Sequence, residues 1–132
     1  MNVAADTNVL LRAAVRDDPE QTHSAVNLLR SAESVAVSVS ALCEFAWVTR
    51  CAYKWQAAEV ARSIRALVSS PNVVTNLPAV EAGLALLDQG GDFADGVIVY
   101  EGQWLGAKEF VSFDKQAVSL LKAQGRRARL LS

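Results

Sequence analysis

Five acidic residues in this chain of 132 stand at positions where a carboxylate could take part in chemistry. They are Asp6, Glu44, Asp92, Asp95 and Asp114. Oxygen ligands acting without His or Cys select hard cations, which makes Mg²⁺ or Mn²⁺ the expected partner of such a cluster. A cation of this kind can clamp a phosphate and lower the pKa of a bound water. The acids therefore raise the hypothesis of metal-assisted phosphodiester hydrolysis.

Each acid also has a structural alternative. Asp6 and Asp114 could cap the helices that follow them, and Asp92 is well placed as an N-cap with Asp95 three residues later. Glu44 is flanked by apolar residues, where an unpaired charge is costly. It is therefore expected to have a partner, either a metal or a cation such as Arg50.

The elements that would position these acids alternate between strand and helix. Apolar stretches predict strands at 3–5, 35–39, 72–76, 109–113 and 128–131. Helical spacing and start signals predict helices at 8–14, 20–32, 41–54, 56–69, 79–88, 92–105 and 115–123, with Ser40 as the N-cap of the third. This alternation predicts an α/β fold with a central, mostly parallel sheet. Ligands bind beyond the carboxyl ends of such strands, which is where Asp6 and Asp114 fall.

Length and composition favour one globular domain over residues 1–132. Hydrophobic residues make up 52% of the chain and charged residues 20%. The 13 basic residues nearly balance the 14 acidic ones, so RNA or DNA binding would have to rely on local patches. Cys43 and Cys51 have neither zinc-site nor disulfide-framework spacing. We expect a cytoplasmic protein, since neither a signal peptide nor a membrane span is evident.

Four segments in order, AADTNVLLR, SALCEF, GGDFADGVI and VSFDK, resemble PIN domains. The resemblance is strongest to VapC-type ribonuclease toxins of bacterial type II toxin–antitoxin systems. It runs from Asp6 to Asp114 and implies a PIN-like α/β/α sandwich. It also implies a Mg²⁺- or Mn²⁺-dependent endoribonuclease, in which a metal-activated water attacks the phosphorus in line and leaves 5′-phosphate and 3′-hydroxyl ends.

The resemblance assigns roles to individual residues. The catalytic and metal-binding acids would be Asp6, Glu44, Asp95 and Asp114. Asn8 and Ser112 match supporting polar positions that orient carboxylates, and Asp92 matches a less essential acid. Gly96 stands where Ala is usual, which predicts a helix start weaker by up to ~1 kcal/mol.

The resemblance also implies partners: an RNA substrate, a cognate antitoxin protein and a second copy of the chain in a homodimer. Phosphate contacts could come from basic residues, or these could be solvated helix faces: Arg12, Arg16, Arg50, Lys54 and the segment 122–129. Interface area or ordinary core could come from the aromatic residues Phe45, Trp47, Tyr53, Trp55 and Trp104.

Competing functions fit the sequence less well. A phospho-aspartate phosphatase needs a D-x-D pattern, and Asn8 occupies the position of its second acid. A receiver domain needs an acidic pair after the first strand, which this chain lacks. His23, the single histidine, is far in sequence from the acids, so packing or surface exposure explains it. The alternative that remains is a catalytically silent PIN-like module that binds RNA or a protein.

Overall fold

The computed structural model describes all 132 residues, and the chain forms two compact units, Met1–Asn76 and Leu77–Ser132. The proposal of a single domain over 1–132 stays a prediction. None of the seven helices is long and apolar enough to cross a membrane.

The first unit contains a three-stranded parallel sheet and four helices. Its elements are β1 (Asn2–Ala4), α1 (Thr7–Val15), α2 (Pro19–Ser31), β2 (Ser34–Ala36), α3 (Val39–Cys51), α4 (Ala57–Val68) and β3 (Val73–Val74). The strand order is β1-β2-β3, with Val3 opposite Val35 and Val35 opposite Val73. Val35 and Leu42 are fully buried in the core of this unit.

The second unit contains a two-stranded parallel sheet and three helices. Its elements are α5 (Leu77–Asp88), α6 (Phe93–Trp104), β4 (Phe110–Ser112), α7 (Lys115–Ala123) and β5 (Ala128–Leu130). Phe110 pairs with Ala128 and Ser112 with Leu130. A buried apolar cluster that includes Leu86, Val118 and Leu121 joins its helices to its strands. Every strand pair in the chain is parallel, as the alternation of elements predicted.

Three strands lead into the next helix by the same local route. One residue follows each of β1, β2 and β4, and the residue after that is the N-cap of a helix: Asp6, Ser38 and Asp114. Each cap has extended backbone, and its side-chain oxygen accepts hydrogen bonds from backbone N–H groups of the first turn. This short connection places a polar side chain at the carboxyl end of each of these strands.

The predicted cap of α3 was wrong. Ser38, not Ser40, is the N-cap, and its hydroxyl accepts a bond of 3.1 Å from the Ala41 N–H. The helix consequently starts at Val39, a residue that the pattern had assigned to the preceding strand. Alternating Val and Ser residues fit a strand and a helix start equally well, which explains the shift.

Helices α5 and α6 approach each other closely because glycines line their contact. A Cβ atom built on Gly96 would lie 2.4 Å from the carbonyl oxygen of Ala82 and 2.8 Å from the Cα of Gly83. A Cβ on Gly83 would lie 2.7 Å from the ring of the fully buried Phe93. The expectation that Gly96 merely weakens the helix start was therefore incomplete, since its missing side chain is what allows the two backbones to meet.

Candidate acidic site

Asp6 is the N-cap of α1, and it uses one carboxylate oxygen for that task. Its Oδ1 accepts a hydrogen bond of 3.1 Å from the Val9 N–H. The side chain is exposed. The cap and the chemical role proposed from sequence are compatible, because the capping bond uses only Oδ1. A negative charge is also favourable at a helix N-terminus.

Two acids of the second unit cap helices in the same way. Asp92 is the N-cap of α6 and accepts a bond of 3.1 Å from the Ala94 N–H. Asp114 is the N-cap of α7 and accepts bonds of 2.9 and 3.1 Å from the N–H groups of Gln116 and Ala117. Each of these bonds ends on the Oδ1 atom. The structural alternatives raised from sequence for Asp6, Asp92 and Asp114 are thus confirmed as geometry.

Asp95 differs from the capping acids. It lies in the first turn of α6, three residues after Asp92, and is partly buried. Burial, followed by the nearby charges of Asp92 and Asp114, raises the pKa of Asp95 above the ordinary Asp value. The charges of Asp92 and Asp114, in addition to burial, therefore make the ionised form of Asp95 less favourable.

The environment predicted for Glu44 was wrong. The side chain lies on α3 between the buried residues Leu42 and Phe45, but it is exposed to solvent. A salt bridge with Arg50 is not formed, since the Arg50 guanidinium instead donates a hydrogen bond of 3.2 Å to the Trp55 carbonyl. Apolar sequence neighbours do not imply burial on a helix, because successive residues point about 100° apart. Solvation accounts for the charge of Glu44 without a partner.

The two supporting polar residues act differently from expectation. The Ser112 hydroxyl accepts a bond of 2.9 Å from the backbone N–H of Asp114, so it fixes the Asp114 backbone rather than the carboxylate. Asn8 is exposed in the first turn of α1, and the bond on the Asp6 carboxylate comes from the Val9 backbone instead. Ser112 therefore supports a candidate acid indirectly.

Several of the proposed phosphate-binding cations already have protein partners. Arg12 forms an ion pair with Asp17 at 2.7 Å, and Arg129 forms one with Glu109 at 3.1 Å. Arg126 donates to the Gln124 side chain at 3.3 Å. The remaining residues of this proposed set that lie at the surface without such a bond are Arg16, Lys54, Lys122 and Arg127.

The aromatic residues divide between core and surface. Phe45 is buried and packs edge-on against Trp55 with ring centroids 6.3 Å apart. Trp47 and Trp104 are exposed by 64% and 78%. His23 is exposed on α2 and hydrogen-bonds to Asn27, which agrees with the packing or surface explanation given for it.

A groove between α1 and α2 lies beside Asp6. Its lining residues are Asp6, Asn8, Val9, Arg12, Glu20, Gln21, Ser24, Ala25 and Leu28. Sequence reasoning did not single out Gln21 and Ser24. The available signal was their spacing of three residues on the polar face of an amphipathic helix, which puts both on one side of α2.

The donor set suits a hard divalent cation. The structure contains no group of three or more His, Cys, Asp or Glu side chains that could hold a metal ion. In the second unit, however, burial and then repulsion from Asp92 and Asp114 raise the pKa of Asp95, and a bound cation relieves repulsion of this kind. The oxygen atoms of the candidate acids are ligands typical of Mg²⁺ and Mn²⁺.

The fold and these acids define an α/β protein with carboxylates at the ends of parallel strands. The PIN domain family model matches residues 3–122. The chain therefore belongs to the PIN domain family, whose members share a nuclease-type fold and are generally metal-dependent nucleases. This assignment confirms the predicted fold class, an α/β/α sandwich with parallel strands. A search of curated proteins gave no match, so the assignment rests on the family model.

Proposed function

We propose that the protein is a Mg²⁺- or Mn²⁺-dependent endoribonuclease that acts as the toxin of a VapC-type pair in the cytoplasm. The observation that supports this most directly is the raised pKa of Asp95, caused by burial and by Asp92 and Asp114, in a chain of the PIN family. The ionised form of Asp95 is unfavourable at this position, so stability alone does not favour an acid there. In a nuclease-type fold such an acid is a candidate for function.

The proposed metal-binding acids are those that the family resemblance assigns, Asp6, Glu44, Asp95 and Asp114. When bound, the cation supplies charge neutralisation for the scissile phosphodiester and activation of the attacking water. Asp6 and Asp114 enter with one oxygen already fixed by a backbone N–H, so little side-chain entropy remains to be lost on binding. Ser112 holds the backbone of Asp114 in place.

Hydrolysis of this kind needs no protein nucleophile. The water is the attacking group, and the products carry 5′-phosphate and 3′-hydroxyl ends. The carboxylates of the chain hold the cation and orient the water. No histidine is required for proton transfer, which suits the distance in sequence between His23 and the acids and its bond to Asn27.

The direct test is RNA cleavage by the purified protein. Structured RNA is incubated with Mg²⁺ or Mn²⁺, and parallel reactions contain EDTA or the Asp6→Asn variant. Cleavage is expected only for the wild type with metal. Cleavage that persists in both controls would refute the metal-site assignment. A failure to cut any RNA would favour the silent module that binds RNA or a protein.

The toxin role is tested separately in a bacterial host. Induced expression of the wild type is expected to arrest growth, and expression of Asp6→Asn is not. Co-expression of the protein encoded just upstream is expected to restore growth and to form a stable complex with a homodimer of this chain. Growth arrest by both forms of the protein would separate toxicity from RNA cleavage and contradict the proposal.

A further inference from the structure

We propose that the groove between α1 and α2 holds one unpaired base of the RNA substrate beside the scissile phosphate and favours a base with an exocyclic amino group. This inference rests on the proposed ribonuclease function. The groove has a volume of about 500 Å³, within the range of sites for small ligands. Asp6 is part of its wall, so a base in the groove would be a near neighbour of any phosphate bound at that acid.

The groove is held open by bonds inside the first unit. The buried Thr22 hydroxyl donates to the Arg12 carbonyl at 2.8 Å, which ties the start of α2 to the end of α1. The Arg12 guanidinium is held by Asp17 at 2.7 Å, and Asp18 caps α2. From Asp6 to Arg12 the wall is about 9 Å long at 1.5 Å per residue, which is room for one nucleotide rather than several.

The charges in the groove favour a base over a phosphate. Asp6 and Glu20 are carboxylates, whereas Asp17 neutralises the nearby cation Arg12. A phosphate would be repelled by this balance. An exocyclic amino group offers two N–H donors to carboxylate or amide oxygens, whereas uracil offers only its ring N3–H between two carbonyl oxygens, so adenine, cytosine and guanine fit this lining better than uracil.

The remaining lining residues supply polar contacts for the edge of a base and apolar contacts for its ring. The side chains of Asn8, Gln21 and Ser24 carry donors and acceptors for a base edge, and all three are exposed. Val9 and Leu28 present apolar surface to the ring. None of these five side chains forms an ion pair that would have to be broken.

The first experiment reads the bases that flank the cut. A random-sequence single-stranded RNA pool is cleaved by the wild type, by Gln21→Ala with Ser24→Ala, and by the control Gln103→Ala, which changes an exposed glutamine on α6. The wild type and the control are expected to disfavour uracil at one flanking position by at least about threefold, the effect of one lost hydrogen bond. The double variant is expected to lose that preference while it still cuts.

The second experiment does not depend on cleavage. Cytidine and uridine are titrated separately into the wild type, and backbone amide signals are followed by NMR. Cytidine is expected to shift Asn8, Gln21 and Ser24 more than uridine does. If RNA is cut but the preference is unchanged in the double variant and neither nucleoside shifts these residues, the groove assignment is wrong and the nuclease function stands. If no RNA is cut and cytidine shifts them, the groove assignment stands and the nuclease function is wrong.

Discussion

At the scale of single residues, three of the candidate acids are helix caps. Asp6, Asp92 and Asp114 each stabilise the start of a helix through Oδ1. Asp18 caps α2 in the same way although it was never a site candidate, so capping alone does not identify a functional acid. What distinguishes Asp6 and Asp114 is that each follows the end of a parallel strand by two residues.

Two substitutions at Asp6 distinguish its helix-capping role from its proposed metal-binding role. Asn and Asp cap helices equally well, so Asp6→Asn is expected to change the free energy of unfolding by less than about 0.5 kcal/mol. Asp6→Ala is expected to cost ~1 kcal/mol because the bond to Val9 is lost. Both are expected to lower RNA cleavage by about a hundredfold or more. Urea denaturation and a cleavage assay measure the two effects, and an active Asp6→Asn would exclude a metal-binding role.

The raised pKa of Asp95 predicts a stability effect with a definite pH dependence. Because its pKa is raised on folding, ionisation of Asp95 disfavours the folded state, and this cost grows between the unfolded and the folded pKa and is fully present above the folded pKa. This cost is absent below the ordinary pKa of Asp, about 3.9, where the group is protonated in both states. Asp95→Asn in EDTA is expected to raise Tm at pH 7, and the gain is expected to shrink as the pH falls towards 4.

The size of the Asp95 effect is limited by solvent. Asp95 is only partly buried, so the gain is expected to be below about 1 kcal/mol, or at most about 4 °C in Tm. Glu101→Gln changes an exposed acid of the same helix and serves as the control. Equal gains in the two variants, or a gain that does not depend on pH, would show that the burial and neighbouring charges of Asp95 are not the cause.

At the scale of elements, the close contact of α5 and α6 is the feature most sensitive to sequence. Gly96 and Gly102 both lie in α6, but their surroundings differ. A Cβ on Gly96 would overlap the Ala82 carbonyl at 2.4 Å, whereas a Cβ on Gly102 would make an ordinary contact of 3.7 Å with Ala107. Replacing each glycine by alanine therefore compares the cost of overpacking at Gly96 with the gain in helix propensity at Gly102.

Gly96→Ala is expected to destabilise the protein and Gly102→Ala to stabilise it. Overpacking costs about 1–3 kcal/mol and exceeds the gain of ~1 kcal/mol from replacing a helical glycine by alanine. For Gly102→Ala only the gain in helix propensity applies, because the added Cβ makes an ordinary contact. Equilibrium unfolding in urea with far-UV circular dichroism measures both. A stabilised Gly96→Ala would mean that α5 and α6 separate without cost.

The sequence predicted the order of elements well because local signals agree with the fold. The helix Lys115–Ala123 matches the prediction at both ends, since Asp114 before it and Gly125 after it mark its limits. Four of the five strands are shorter than predicted, and β3, for example, covers only Val73–Val74. β1 has the predicted length but begins one residue earlier, at Asn2. Strand length depends on partners elsewhere in the chain, which an apolar run does not specify.

The candidate acids could be selected from the sequence by type and position, but their environments could not be predicted from it. A strand followed by Asp is visible in the sequence, and so are the caps at Asp6, Asp92 and Asp114. The exposure of Glu44 depends on which side of α3 packs against the core. The raised pKa of Asp95 depends on its burial and on its distance from Asp92 and from Asp114, which lies about 20 residues further along the chain. Neither can be read from residue types alone.

At the scale of the whole molecule, the balance of charge limits how RNA can be bound. The formal net charge is −1, and Arg12 and Arg129 are already paired with acids. The chain therefore has no overall excess of cations to displace counterions from a phosphate backbone. Binding is therefore expected to depend more on contacts with the bases and on metal-held phosphate than on general attraction.

The salt dependence of RNA binding tests this expectation. Asp6→Asn is titrated with a labelled single-stranded RNA at several KCl concentrations, and binding is followed by fluorescence anisotropy. The slope of log K against log salt is expected to have a magnitude below about 3, which corresponds to about four phosphate contacts or fewer on a single strand. A slope steeper than about −5 would point to an extended basic surface.

The capping bonds of Asp6 and Asp114 have a consequence for how this protein can change over evolutionary time. Asparagine or serine at either position preserves the helix start, so a single substitution can remove the charge and leave the folded chain intact. Inactive descendants that keep every other surface are thus one step away. Such copies would compete with the parent chain for the proposed RNA and antitoxin partners, and selection could reach them without passing through an unfolded variant.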